Sequence, residues 1–259
     1  MTKINIIGAG NVGHYFAKTL SNAGHQVLCI YNRTISRANE LASKCGSMAT
    51  DDLIALPKVD LNIIAISDDY ISSISSQIGS LHGYDTPIVH TSGTLGLDAI
   101  SKDFTQKGCI WPLQSITMNE NFDEKTVPLC IDANTDTFSS SLMGISKSIS
   151  SVVEHLPSSK KKHAHIAAVI SNNFSNHLFT LAEKYCEEHD IDFDLLKPLI
   201  IESVLKIKRE SPYQIQTGPA RRGDLKTIEK HLKLLKDKNT KKIYKRISKS
   251  IIKTYHENN

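Results

Sequence analysis

Lys3-Ile4-Asn5-Ile6-Ile7, followed at once by Gly8-Ala9-Gly10-Asn11-Val12-Gly13, is the stretch that decides how this chain is read. The first five residues form a short apolar run with a β-branched bias, long enough for one buried parallel strand. The next six have the pattern G-x-G-x-x-G. Residues 14–23 then carry Phe16, Ala17, Leu20 and Ala23 at the spacing of one buried helical stripe, and Gly24 suits a helix terminus. Residues 26–31 read as a second apolar strand. A strand, a glycine-rich turn, a helix and a second strand give a weak glycine pattern the context it needs. Gly8 permits the turn out of the strand. Gly10 lacks a Cβ, so a pyrophosphate can approach the backbone, and Gly13 lets the helix pack closely on the sheet. The first-turn N–H groups, at Asn11 and Val12, and the positive end of the helix dipole face the phosphates.

The end of the second strand selects the dinucleotide. An NAD site places Asp or Glu about 20 residues on, to bind the ribose 2′-hydroxyl. This chain has Asn32-Arg33-Thr34 and no acid until Glu40. Asn32, Arg33 and Thr34 can instead donate hydrogen bonds to a 2′-phosphate, with Arg33 giving charge-assisted contacts and Arg37 adding charge one turn later. The expected cofactor is therefore NADP(H) rather than NAD(H).

The chain has 259 residues, 40% hydrophobic and 22% charged, which fits a globular protein of one large or two modest domains. No apolar run approaches the ~20 residues that span a bilayer. A strand at the very start leaves no room for a signal peptide. The five cysteines, an odd number without a C-x-x-C pair, fit a reducing compartment and argue against a disulfide frame or a metal site. The expectation is a cytoplasmic protein that binds no metal and no membrane. The net charge of +4 is concentrated over residues 226–253. There the lysines fall opposite an apolar face of Leu232, Leu235, Ile243, Ile247 and Ile251, so a solvated helix face is preferred to a nucleic-acid site.

Residues 36–44 read as a helix with Ala38, Leu41 and Ala42 inward, and residues 46–49 as a third strand. A short helix opens at Asp51-Asp52-Leu53 and stops before Pro57. Residues 61–66 are almost wholly apolar, hence a central strand. After it Ser67 or Asp68 can cap the next helix and line the dinucleotide crevice. Residues 87–90 are a fifth strand. It ends in Thr91-Ser92-Gly93-Thr94, a polar turn placed by topology near the nicotinamide or the substrate and leading to a helix near residues 95–101. Ser92 can donate to a carbonyl or carboxylate, and Gly93 allows close approach; a capped helix start is the alternative. Residues 108–115 give a sixth strand, with Trp111-Pro112 a candidate shaped turn. Further strands at 127–131 and 151–154 flank a helix at 137–146. Beyond Pro157 only helical periodicity remains, except at residues 217–224, where Arg222 and Asp224 stand ready for polar contacts or Asp224 caps the following helix. The expected architecture is α/β: an N-terminal doubly wound, mostly parallel sheet over residues 1–156, followed by an all-α domain over residues 157–259, with a cleft between them as active site.

Gly8 to Gly13 and Tyr31-Asn32-Arg33-Thr34 resemble the Rossmann domains of the 6-phosphogluconate dehydrogenase-like superfamily. That group includes ketopantoate reductase, pyrroline-5-carboxylate reductase and F420-dependent NADP oxidoreductases. The whole chain more closely resembles the bacterial Rossmann-like proteins with a DUF2520 domain, NADP-dependent oxidoreductases without an assigned substrate. His90-Thr91-Ser92-Gly93, Pro112-Leu113-Gln114, residues 165–169 with Asn173-Phe174, and residues 217–219 through 222–224 carry that likeness. Where the pattern commonly has a histidine before Pro112, this chain has Trp111. The resemblance implies a homodimer built through the helical domain and a small-molecule pocket between domains.

Hydride transfer needs alignment plus one group to handle a proton. The Lys-x-x-x-Asn of sister β-hydroxyacid dehydrogenases is not reproduced. His165 and Asn172, seven apart, share a helical face. His165 is the expected proton donor or its positioner, with Asn172 or Asn173 orienting the substrate. The sequence thus points to an NADP(H)-dependent oxidoreductase acting on a small polar carbonyl, imine or hydroxy acid. The alternative is a non-catalytic NADP(H)-binding sensor or assembly protein.

Overall fold

A computed structural model describes residues 1–117 and 123–256. Eight strands form one sheet: β1 (Lys3–Ile7), β2 (Gln26–Tyr31), β3 (Met48–Thr50), β4 (Leu61–Ile64), β5 (Ile88–His90), β6 (Lys107–Pro112), β7 (Leu129–Ala133) and β8 (Val153–His155). Their order is β3-β2-β1-β4-β5-β6-β7-β8. Pairing is parallel except between β6 and β7. The order reverses at β1, which has β2 on one side and β4 on the other, so the crevice at the carboxyl ends of β1 and β4 is the ligand position such sheets offer.

The strands are apolar on both faces because helices cover both. Along β1, Ile4 and Ile6 join one cluster with Phe16, Leu20, Leu41, Phe138 and Leu142, while Ile7 joins another with Ile64, Ile71, Ile78 and Ile88. The covering helices are α1 (Asn11–Asn22), α2 (Ile35–Cys45), α3 (Asp68–His82) and α4 (Asp136–Ile149). The segment around residues 95–101, expected as a helix, is a single 3-10 turn, Leu97–Ala99. Trp111 and Pro112 continue β6 and pair with Cys130 and Leu129 rather than forming a turn.

The chain divides into two compact units, Met1–Ser171 and Asn172–Asn259. Helix α5 (Ser158–Ala168), placed by the sequence reading at the start of the helical domain, belongs to the first. Asp132 on β7 accepts from the Ser158 N–H at 2.8 Å and from its hydroxyl. Ala164 packs on the Cys109–Trp111–Cys130 cluster. Residues 169–174 form a π-turn, so the 3.6-residue period behind a shared His165 and Asn172 face does not hold through it.

The second unit is helical: α6 (Ser175–Glu187), α7 (Lys197–Ile207), α8 (Pro212–Ile215), α9 (Pro219–Arg222), α10 (Leu225–Leu234) and α11 (Lys238–His256). An apolar cavity of about 630 Å³ runs among α6, α10 and α11, lined by Leu181, Tyr185, Leu235, Ile243, Ile247 and Ile251. Asp224 caps α10, accepting from the Thr227 N–H at 3.1 Å and its hydroxyl at 2.7 Å. Those bonds hold its carboxyl below the usual range. Arg222 is exposed. Among the described residues no helix is long and apolar enough to cross a membrane, and no cluster of His, Cys, Asp or Glu could hold a metal ion.

Candidate active site

A cavity of about 540 Å³ opens at the carboxyl ends of β1, β2, β4 and β5, wholly within the first unit. Its floor is the glycine turn. Gly8 has φ +118°, and a Cβ there would lie 2.2 Å from the Ala65 carbonyl oxygen on the neighbouring strand exit. A Cβ on Gly13 would lie 2.0 Å from the Gly8 carbonyl oxygen. Both glycines are demanded by the fold itself. Gly10 differs: its φ is −89°, and a Cβ would meet nothing within 4 Å. The protein leaves that space open above the start of α1, where Gly10, Asn11 and Val12 line the cavity. Helix α1 has no side-chain cap and no acid in its first turn. Its leading N–H groups and dipole are left for an anion.

Arg33 and Arg37 line the β2 end of the cavity, with the Arg33 guanidinium 4.9 Å from the centre of the Tyr70 ring. Asn32 is there too, but its amide is engaged: Oδ1 accepts from the Ala9 N–H at 3.2 Å and Nδ2 donates to the Thr34 carbonyl at 3.0 Å. Asn32 braces the two loops against each other. Thr34 stands at the N-cap of α2 without a side-chain bond and is not among the lining residues. The cationic end therefore rests on the two arginines. The open space over Gly10, the uncapped helix start and this pair of arginines fit a dinucleotide carrying an extra phosphate, while Glu40, near Arg37, is paired with Lys44 at 2.9 Å.

At the other end Ser67, Asp68, Ser92, Gly93, Thr94 and His165 line the wall. Neither Ser67 nor Asp68 caps α3 through its side chain. Ser67 occupies the cap position without such a bond, and Asp68 accepts from the Ser92 hydroxyl at 2.8 Å and from the Thr94 hydroxyl. The Ser92 oxygen also accepts from the Thr94 and Leu95 N–H groups, both at 3.1 Å. That hydroxyl is thus consumed in holding the turn. His90 is fully buried below it. Its Nδ1 accepts from the Ser92 N–H at 3.1 Å, so Nε2 carries the proton and donates to the Gly96 carbonyl at 3.1 Å. Burial, then the neighbouring Lys161, lowers the His90 pKa to about 4. His165 stands with its ring 5.8 Å from that of Trp111, and a Cβ on Gly93 would come within 2.8 Å of both rings. Asn172 and Asn173 belong to the second unit, in the π-turn, and are exposed.

One buried group escaped the sequence reading. Lys161 is 1% exposed, and its Nζ reaches the Ser92 carbonyl at 2.9 Å and the Cys109 Sγ at 3.0 Å. It lies in the run Lys160-Lys161-Lys162, which reads as a solvated surface. The available signal was its position three and four residues before Ala164 and His165, on their helical face.

The fold and the site define a dinucleotide-binding α/β domain of the Rossmann type. Residues 127–251 match the family model described as "Domain of unknown function (DUF2520)", and residues 1–83 match "Shikimate / quinate 5-dehydrogenase". A crystal structure described as a "putative NADP oxidoreductase" from Bacteroides fragilis is 31% identical over 97% of this chain and 98% of that one, with a TM-score of 0.89. The chain belongs to the family of that Bacteroides protein. A 1-pyrroline-5-carboxylate reductase from Streptococcus pyogenes shares the fold, at 15% identity, a TM-score of 0.65 and coverage of 97% and 98%. The Bacillus subtilis "Uncharacterized oxidoreductase YfjR" is 30% identical over 107 residues, 40% of this chain, and the match spans only 36% of that relative.

Proposed function

We propose that the protein is an NADP(H)-dependent oxidoreductase that moves a hydride between the cofactor and a small polar carbonyl, imine or hydroxy acid. The observation that carries this is the cavity wall that joins an open, uncapped helix start to Arg33 and Arg37. The Bacteroides relative's description and the reductase fold support the same reading. When bound, the nicotinamide supplies or accepts the hydride.

The chain's own part is binding, orientation and one proton. The N–H groups at the start of α1 hold the pyrophosphate, and Arg33 and Arg37 hold the 2′-phosphate. The turn at residues 92–94, braced by Asp68 and His90, shapes the far wall. His165, facing the cavity beside Gly93, delivers or takes the substrate proton at an imidazole nitrogen. The protein works as a homodimer through its helical unit, a reading supported by the exposed Leu199, Ile201, Val204, Leu205 and Ile207 on α7.

The test follows NADPH oxidation over a panel of small carbonyls, cyclic imines and keto acids, with His165→Ala beside the wild type. The reading expects turnover of at least one compound and a loss of about 10²-fold or more in kcat for the variant, the usual worth of a general acid. NADPH binding without turnover of any compound favours a sensor. Full activity in the variant removes His165 from the chemistry.

A further inference from the structure

Lys161 presents a physical puzzle. Taking an ammonium out of water is costly unless new partners replace the solvent. Among the described residues it has no carboxylate within ion-pair distance; its partners are the Ser92 carbonyl and the Cys109 sulfur. Burial pushes the Cys109 thiol up to about 11, so the sulfur is a weak counter-charge. An apolar side chain would fill this place at less cost.

The reason for the lysine lies across the peptide that joins Ser92 to Gly93. No described peptide bond is cis. In a trans peptide the C=O and N–H point in opposite directions, so with the carbonyl on Lys161 the Gly93 N–H points away from it. The other donors of the turn are spoken for. The Ser92 N–H goes to His90, and those of Thr94 and Leu95 go to the Ser92 hydroxyl. The Gly93 N–H has no acceptor among the described residues, and Gly93 lines the cavity. A cation on the carbonyl polarises the peptide and strengthens its N–H as a donor.

We propose that the Gly93 N–H is the hydrogen-bond donor for the carboxamide oxygen of the nicotinamide, and that Lys161 is the positioning residue that aims and strengthens it. The proposal rests on the NADP(H) reading. It assigns the far end of the cavity to the ring, opposite Arg33 and Arg37. A substrate oxygen offers the same acceptor chemistry, and the ligands below separate the two.

Ser-Gly occurs once in the chain, at Ser92-Gly93. Labelling serine carbonyl carbons with 13C and glycine nitrogens with 15N therefore leaves one correlated amide signal, that of Gly93. Titrating the wild-type protein with NADPH is expected to move that amide proton downfield. Titrating with 2′-phospho-ADP-ribose, which lacks the ring, is expected to leave it in place. Lys161→Met is expected to weaken NADPH about tenfold, the worth of one good hydrogen bond, and to leave 2′-phospho-ADP-ribose unchanged. An amide proton that NADPH does not move overturns the proposal, as does an unchanged NADPH affinity in folded Lys161→Met. A Gly93 signal that moves only when a turned-over substrate is added assigns the donor to substrate instead. A wild-type protein that binds neither ligand overturns the cofactor reading itself, a separate outcome. The labelling experiment stands even if the variant fails to fold.

Discussion

Gly10→Ala separates what the fold needs from what the ligand needs. A methyl group at Gly8 would strike the Ala65 carbonyl, and one at Gly13 the Gly8 carbonyl, so those variants damage the protein whatever it binds. At Gly10 the methyl enters open space on a backbone that alanine adopts freely, φ −89° and ψ −173°. Two small effects oppose each other: alanine is a poorer N-cap than glycine, and it reduces the freedom of the unfolded chain. Each is below about 1 kcal/mol, so the melting temperature of a unit this size should move by no more than about 4 °C. The same methyl occupies the approach to the first-turn N–H groups. Holding a pyrophosphate oxygen off even one of them costs about 1.5–3 kcal/mol, the worth of a hydrogen bond to a charged group, or about ten- to hundred-fold in Kd. Calorimetric titration with NADPH and a thermal melt of the apo protein measure both quantities. A variant that melts like the wild type and binds NADPH as tightly would refute the pyrophosphate reading of this corner. A large fall in melting temperature would show that Gly10 serves the fold.

Arg33→Ala should weaken NADPH by about ten- to hundred-fold and leave NADH unchanged, because only the 2′-phosphate loses a charged partner; equal losses for both would remove the phosphate role. His90 should make stability depend on acid. Its folded pKa is near 4 against 6.5 unfolded, so below pH 6.5 the unfolded chain takes up a proton that the folded one refuses. Stability then drains as pH falls from about 6.5 to 4, by at most ~3 kcal/mol. Melting curves of His90→Gln across that window should be flatter than those of the wild type, and parallel curves would exclude the effect. Val204→Asp, on the exposed apolar side of α7, should turn a dimer into a monomer by light scattering with little change in melting temperature; an unchanged mass would exclude α7 from the contact.

Much of this protein is legible without coordinates. The apolar run of β1, the glycine spacing and the caesura at Gly24 locate the first strand, helix and second strand, because parallel strands buried on both faces must be apolar throughout and the turns between them need glycine. The missing acid after Tyr31 likewise needs no structure to be noticed. Asn32 shows where such reading stops. Its amide is a good phosphate donor on paper, yet the fold spends it on Ala9 and Thr34. Asp68 and Ser92 went the same way: two plausible ligand groups turn out to bond to each other, 24 positions apart in sequence.

By itself, then, the sequence determined most of the succession of strands and helices, the glycine turn after the first strand and the two arginines after the second, because each depends on residues within one or two turns of one another. Only the tertiary structure decided which polar side chains remain for a ligand. It alone buried Lys161 beneath residue 92, 69 positions away, and left the Gly93 N–H without an acceptor among the described residues. Hydrogen-bond partners are chosen by proximity in space, and local pattern carries no record of that distance.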